Sequence, residues 1–453
     1  MDVALLVEGC GHFTALRGWS QRNHASERRV ARRACSTAAV TGFVIEGAAL
    51  LDLASGERVA ASSVRVEDAR IVEVGLDGQR VAAGDDLPRL DAGGRTLMPG
   101  LIDAHVHAAI TKMDIGSMNH RPLTRIGIEA KAILEGMLRR GFTTIRDAGG
   151  MDRGLKDAAE AGLISAPRIF RSGRVLSQTG GHGDTAAPSN HPRLCACGID
   201  TTGFAHVADG PDAVRRAARE ELKGGADQIK VMAGGGVASP NDPIDMTQYT
   251  EAELQAAVAE AAARRTYVMA HAYIPESIVR AARAGIRSIE HGNLLDAESA
   301  RVMAEHGCFL VPTLVTYDQI AELGEQLGFP AESMRKLDAV LSAGTVAIQH
   351  ALDAGVRVGL GTDLLGETHR AQSKELRLRN EVQSPIDVLR SATLVNAELL
   401  GKVGELGVIA PGAAADLLLV DGDPLADLGV LDGQGDHIDL IARAGEVVHD
   451  GMH

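Results

Sequence analysis

Met98–His107, MPGLIDAHVH, reads as a loop, a short apolar strand and two histidines separated by one residue. Side chains alternate across a strand, so His105 and His107 point to the same side. Two imidazoles on one side of a strand end suit a metal ion. Alone, such a pair is more often two polar residues lining a strand edge. What the pair does here is decided by the rest of the chain.

Outward from it, apolar strand-like segments recur. They are LIDAHVH (101–107), TTIRDAG (143–149), RIFRSG (168–173), DQIKVMA (227–233), YVMAHA (267–272), SIEHG (288–292), FLVPT (309–313) and VRVGLGTD (356–363). Most are followed by a helical pattern, as at 212–225 and 251–264. Strands alternating with helices predict parallel βαβ units. Eight of them predict an α/β fold of the (β/α)8, TIM-like barrel type over 99–409, with its site at the C-terminal strand ends. Two long connections, 177–210 after the third strand and 313 to about 333 after the seventh, are expected as loops shaping a pocket.

The stretches before and after carry another pattern. Short alternating or β-branched segments broken by Gly and Asp occupy 43–98, as in GFVIEGAALLD and SSVRVEDARIVEVG. The style returns in AADLLLVDG and DLIARAGEVVHDG near the C-terminus. Residues 43–98 and 410–453 are therefore expected to join as one small flanking β-sandwich domain. Residues 1–41 read as a poorly ordered extension, with a partner-binding or targeting arm as the alternative. Their cluster Arg28, Arg29, Arg32 and Arg33 is not followed by the apolar core of a secretory signal.

Composition narrows the function classes. The 453 residues carry a net charge of −14, and the body of the chain has no basic tract, which argues against a nucleic-acid partner. No apolar run is long enough to span a bilayer, so no membrane partner is expected. The five cysteines form no disulfide framework, which fits a reducing, cytoplasmic setting. With 45% hydrophobic but only 3% aromatic residues, the core must rest on Ala, Val, Leu and Ile.

Further chemistry-bearing residues fall at later strand ends. Lys230 lies in DQIKVMAGGG, an apolar strand before a glycine run, where a lysine must reach solvent, be paired or be chemically altered. His271 ends the fifth strand, His291 the sixth and Asp363 the eighth. Singly, these are ordinary hydrogen-bonded histidines and a turn aspartate. Together they make His-x-His, Lys, His, His and Asp at strands one, four, five, six and eight, which a closed barrel would bring to one mouth.

On these residues the chain resembles the amidohydrolase superfamily, in its branch with a two-metal centre and a carboxylated lysine. The resemblance runs from about Phe43 to the C-terminus, including AADLLLVDGDPL. It implies that His105, His107 and Asp363 hold the more buried of two divalent ions, and that His271 and His291 hold the other. A carbon dioxide-derived carbamate on Lys230 and a hydroxide would bridge them. Imidazole and carboxylate ligands suit zinc, with cobalt or manganese as substitutes. Asp363 would take the nucleophile's proton and pass it to the leaving amine.

Within the superfamily the chain is most similar to prolidase-like carboxypeptidases and dipeptidases and to microbial ochratoxin-hydrolysing amidases. The residues concerned are GGHGD (180–184), HAY (271–273), Arg280, IEHGN and GTDLLGETHRAQSKEL (361–376). By that resemblance His182 steadies the substrate carbonyl oxygen as a catalytic residue, and Tyr273 and Arg280 contact a free carboxylate. Arg280 is expected in the first turns of a helix begun by Pro275. His369 is expected to line the pocket. The implied substrate is a dipeptide or other small molecule with a free carboxylate, and the implied assembly is a homo-oligomer. A one-metal deaminase, a cyclic-amide hydrolase of the same fold and a non-catalytic scaffold stay open as alternatives.

Overall fold

The computed structural model describes residues 42–452 except 83–86, 119–120, 186–202, 240–241 and 330. The extension 1–41 and the cysteines Cys10, Cys35, Cys195 and Cys197 lie outside these residues. Cys308 is a buried free thiol.

Residues from both chain ends build one eight-stranded sheet. Its order is Glu446–Asp450, Ile438–Arg443, Leu417–Val420, Thr96–Pro99, Gly42–Asp52, Glu57–Glu67 and Arg70–Gly75, with Arg89–Asp91 paired to Gly42–Asp52. The ends meet where Leu417–Val420 runs antiparallel to Thr96–Pro99, Leu419 opposite Leu97. Period-two alternation then sorts the side chains. Leu97, Leu417 and Leu419 join one apolar cluster inside this sheet. Met98, Leu418 and Val420 join another that includes Leu101, Phe142 and Leu360 of the central region.

The sheet also curls. Ile71 N–H donates to the Ala413 carbonyl at 2.9 Å and Ala415 N–H to that of Ala69 at 3.0 Å, so the last strand returns to the chain entering Leu417–Val420. The expected sandwich is thus a single hydrogen-bonded sheet wrapped around its inner face.

Thr96–Pro99 feeds directly into the first parallel strand, Leu101–Val106. The passage needs Gly100, because a Cβ there would lie 2.0 Å from Thr143 Oγ1. Leu101–Val106, Phe142–Asp147 and Arg168–Arg171 form a three-stranded sheet. Ile229–Met232, Val268–Ala272, Ser288–His291, Phe309–Val311 and Arg357–Val358 form a seven-stranded one with Val175–Ser177 and Ala205–Val207. All pairs in both are parallel. Backbone bonds join the two sheets at both seams. Ala104 N–H reaches the Leu360 carbonyl at 2.9 Å, and Asp227 N–H reaches that of Arg171 at 2.8 Å.

Helices Pro211–Lys223 and Glu251–Ala263 lie where their periodicity predicts. The second is started by Thr250, whose hydroxyl and the Glu253 carboxylate cap each other's backbone N–H groups. The connection after the seventh strand is not a loop but begins with helix Leu314–Leu323. The other expected loop is bounded by the short strands Val175–Ser177 and Ala205–Val207, and much of it lies outside the described residues.

Helix Leu314–Leu323 is anchored by a buried acid. Glu375 Oε2 accepts the Val315 N–H at 2.7 Å, supplying an acceptor to otherwise unpaired first-turn donors. Burial pushes this carboxyl up from its ordinary 4.5 to about 8, against the pull of Arg379. Between those values the folded chain keeps a proton that the unfolded chain releases, so this group's contribution is full below pH 4.5 and is lost as pH rises toward 8. Glu375→Gln is therefore expected to flatten the fall in Tm between about pH 5 and 8. Parallel Tm profiles for the two proteins would refute this.

Candidate active site

The C-terminal ends of the parallel strands gather the histidines and Asp363. His105 Nε2 lies 3.3 Å and His107 Nε2 3.2 Å from the same oxygen, Asp363 Oδ1. The rings of His105 and His291 are 4.9 Å apart, and those of His271 and His291 4.6 Å. Two of these residues sit on strained backbone, His291 at φ 71° and Asp363 at φ 52°. Left-handed backbone at non-glycine residues must be held by its surroundings. For Asp363 the holder is its own N–H, which donates to the His105 carbonyl at 2.8 Å.

The outer face of each ring is fixed by a hydrogen bond. His105 Nδ1 is 2.7 Å from Glu290 Oε2, His107 Nδ1 is 2.8 Å from the Gly149 carbonyl, and His291 Nδ1 is 2.9 Å from Thr313 Oγ1. His271 is reversed, with Nε2 3.1 Å from the Gly235 carbonyl. Carbonyl oxygens only accept, so His107 donates from Nδ1 and His271 from Nε2, and the neutral His271 ring keeps Nδ1 free for another bond. Burial pushes Asp363 up, but His105, His107 and His291 outweigh it and hold the carboxyl well below its usual range. Burial lowers both His271 and His291 well below an ordinary imidazole.

Lys230 and its surroundings extend the cluster. Lys230 is 1% exposed and burial lowers its amine to about 8, with Glu290 and Asp363 pulling the other way. Beneath it lies a buried pair that sequence reading missed. Arg146 Nη2 reaches both Glu290 oxygens at 2.9 Å, Nε donates to the Ala104 carbonyl at 2.6 Å, and Nη1 donates to Ser288 Oγ at 3.0 Å. Burial raises Glu290, but Arg146 and His105 bring it down to about 2. The signal in the sequence is a charge inside each apolar segment, Arg146 beside Asp147 in TTIRDAG and Glu290 in SIEHG, because a buried charge implies a partner.

A cavity of about 370 Å³ opens over these groups. His107, His182, Lys230, His271, Tyr273, His291 and Asp363 line it on one side. Met113, Ile115, Phe204, Ile320, Leu327 and Phe329 make its apolar wall. His182 stacks on His271 with ring centres 4.3 Å apart. Tyr273 Oη lies 2.7 Å from Tyr317 Oη, a lining residue that the sequence had not singled out.

Two expectations need correction. Arg280 is in the last turn of Pro275–Arg283, because Pro275 starts a helix of only nine residues. It is not among the cavity-lining residues, and its Nη1 donates to the Tyr249 carbonyl at 2.8 Å. His369 is likewise absent from the lining. It is buried against the Ile110 backbone, and burial pushes it down to about 3.

Comparison with known proteins fits this geometry. The profile of the Amidohydrolase family matches residues 96–448. The chain belongs to this family. The amidohydrolase is 34% identical over 349 residues to an ochratoxinase of Aspergillus niger, covering 74% of this chain and 72% of the relative. It is 47% identical to a prolidase solved in complex with N-methylphosphonate-L-proline, with a TM-score of 0.87 over 90% of this chain and 100% of that one. A Xaa-Pro dipeptidase solved with methionine in its active site is 28% identical, with a TM-score of 0.79 over the same shares. Family and relatives together support a hydrolase.

The residues present fit a divalent metal ion. His105, His291 and Asp363 each place a ligand atom within 4.8 Å of the others. His105 Nε2 is buried and has no hydrogen-bond partner, although an acidic oxygen lies near it. An orphaned imidazole nitrogen facing a carboxylate is what a cation between them would satisfy. The bonds to Glu290, Gly149, Thr313 and Gly235 would be the outer contacts that orient these imidazoles if they hold metal.

Proposed function

We propose that this amidohydrolase carries two divalent metal ions, zinc being well suited, and cleaves the amide bond to a C-terminal amino acid. His105, His107 and Asp363 would hold one ion, His271 and His291 the other, and a carbamate on Lys230 would join them. When bound, the ions supply an activated water and polarise the scissile carbonyl. The observation that carries this reading is a lysine, 1% exposed, in a pocket with four imidazoles and a carboxylate and with its amine lowered to about 8. A neutral amine adds to carbon dioxide, forming the N–C bond and releasing one proton, and the product carries the negative charge that the site lacks at that point.

The chain's own groups then divide the work. Asp363, held ionised, accepts the proton of the attacking water and returns it to the leaving amine. His182 and Tyr273 reach into the cavity and supply contacts to the carbonyl oxygen and the substrate carboxylate. Arg280 is left out of this version, because it does not line the cavity and its Nη1 is bonded to the Tyr249 carbonyl. The same reading takes eight of the parallel strands, all but Val175–Ser177 and Ala205–Val207, as one closed (β/α)8 barrel, supported by the backbone bonds across both seams.

The apolar wall suits a bulky acyl group, either a large apolar amino acid or an aromatic acid of the ochratoxin A type. Phe329→Ala is expected to lower kcat/KM for aromatic acyl groups about tenfold more than for a glycyl group. Equal losses on both would remove Phe329 from acyl recognition. A screen of dipeptides, N-acyl amino acids and ochratoxin A, read by the released amino acid, tests the whole reading. Release from one of these classes is expected. No release from any of them by metal-loaded protein would overturn it.

A further inference from the structure

The glycine run after Lys230 forms a cradle. A Cβ on Gly236 would lie 2.1 Å from His182 Cε1 and 2.5 Å from its Nδ1, so the imidazole rests directly on this backbone. Its other face stacks on His271, with an angle of 17° between the rings. The ring is thus gripped between a bare peptide and a second imidazole. Such a sandwich fixes the plane of the ring, but not which edge meets the cavity.

That choice falls to Asp242, which is 1% exposed. One of its oxygens, Oδ2, accepts from Gly236 N–H at 3.0 Å and Gln248 Nε2 at 3.1 Å, and lies 3.2 Å from His182 Nδ1. The Gln248 amide closes the loop, because its Oε1 accepts the His182 backbone N–H at 2.9 Å. The segment bearing Asp242 is itself pinned. Lys336, on helix Ala331–Leu341, donates through Nζ to the carbonyls of Gly236, Ser239 and Asp242. The oxygen facing Nδ1 already holds two N–H donors, so it acts as an acceptor and His182 donates from Nδ1.

We propose that Asp242 is a positioning residue for the reaction: its buried carboxylate engages His182 Nδ1 and so turns Nε2 toward the substrate carbonyl. This rests on the reading of His182 given above. The effect is geometric, and misplacing a reacting contact by about 1 Å costs on the order of 100-fold in rate.

The test uses the metal-loaded full chain. Asp242→Asn removes the charge, and Gly236→Ala instead drives a methyl into the ring while leaving Asp242 intact. Each is made alone and on a His182→Ala background. Readouts are kcat and KM for a hydrolysed dipeptide and crystal structures of the single variants. Either change alone is expected to lower kcat about 100-fold with little change in KM. On the His182→Ala background each should cost less than about threefold, because the two residues act as a unit. In both structures the His182 ring should have left its stack on His271.

Equal losses with and without His182 would overturn the proposal, as would a ring still in place in Asp242→Asn. A wild-type chain that hydrolyses none of the substrates refutes the functional reading, while the ring position still decides this inference.

Discussion

Lys230→Ala is expected to lower kcat for amide hydrolysis by about a thousandfold or more and to release metal. Lys230 sits in a strand that is buried along its length, Ile229–Met232, and its side chain reaches the wall shared with His271, His291 and Asp363. As an ammonium it would repel the ions that those ligands attract. As a carbamate it supplies two oxygens and reverses the sign of the charge. Removing it takes away the only side chain proposed to contact both ions, and the loss of several kcal/mol of charge stabilisation corresponds to about a thousandfold or more in rate. Short carboxylates such as acetate, added to the variant, should restore part of both metal content and rate. Undiminished turnover by Lys230→Ala would rule out the bridging role.

The second large effect is on stability. Arg146 and Glu290 are both 0% exposed, and the guanidinium contacts both carboxylate oxygens. Arg146→Met leaves Glu290 without its counter-charge, and breaking such a pair costs about 3–5 kcal/mol. Metal binding should weaken too, by about 10- to 100-fold, because the ionised Glu290 orients His105 through Nδ1. The double variant Arg146→Met/Glu290→Gln removes both charges and should recover most of the stability while metal affinity stays low. Urea unfolding and zinc titration measure the two effects separately. A single Arg146→Met variant within about 1 kcal/mol of wild type would contradict the account of the pair.

The ligand residues could be found in the sequence because a strand gives simple rules. Alternation puts His105 and His107 on one side, and apolar segments make Lys230, His271 and His291 stand out at their ends. Arg146 and Glu290 obey the same rules, but a charge in a strand gives no hint of which distant strand carries its partner, and Arg146 has an acid, Asp147, next to it in sequence. Asp242 and Gln248 had no pattern at all. They lie in a segment without periodicity, and their role is visible only once His182 lies against Gly236.

Arg280 was misplaced by helix length. Pro275 correctly marked the start, but a nine-residue helix puts the sixth position in its last turn. Helix Leu314–Leu323 is hidden in the sequence because its anchor, Glu375, comes 60 residues after Val315. The apolar pattern of the eighth strand spans 356–363, yet only Arg357–Val358 pairs as a strand before glycines 359 and 361. The flanking sheet was legible from both ends because Leu417–Val420 is apolar at every position, as a strand buried on both faces must be.

The most direct measurement is the metal content of the purified, metal-loaded protein, set beside that of Lys230→Ala. The account requires about two divalent ions per wild-type chain, and a lower count in the variant together with lost turnover. A fully active wild-type chain holding one ion or none would contradict it.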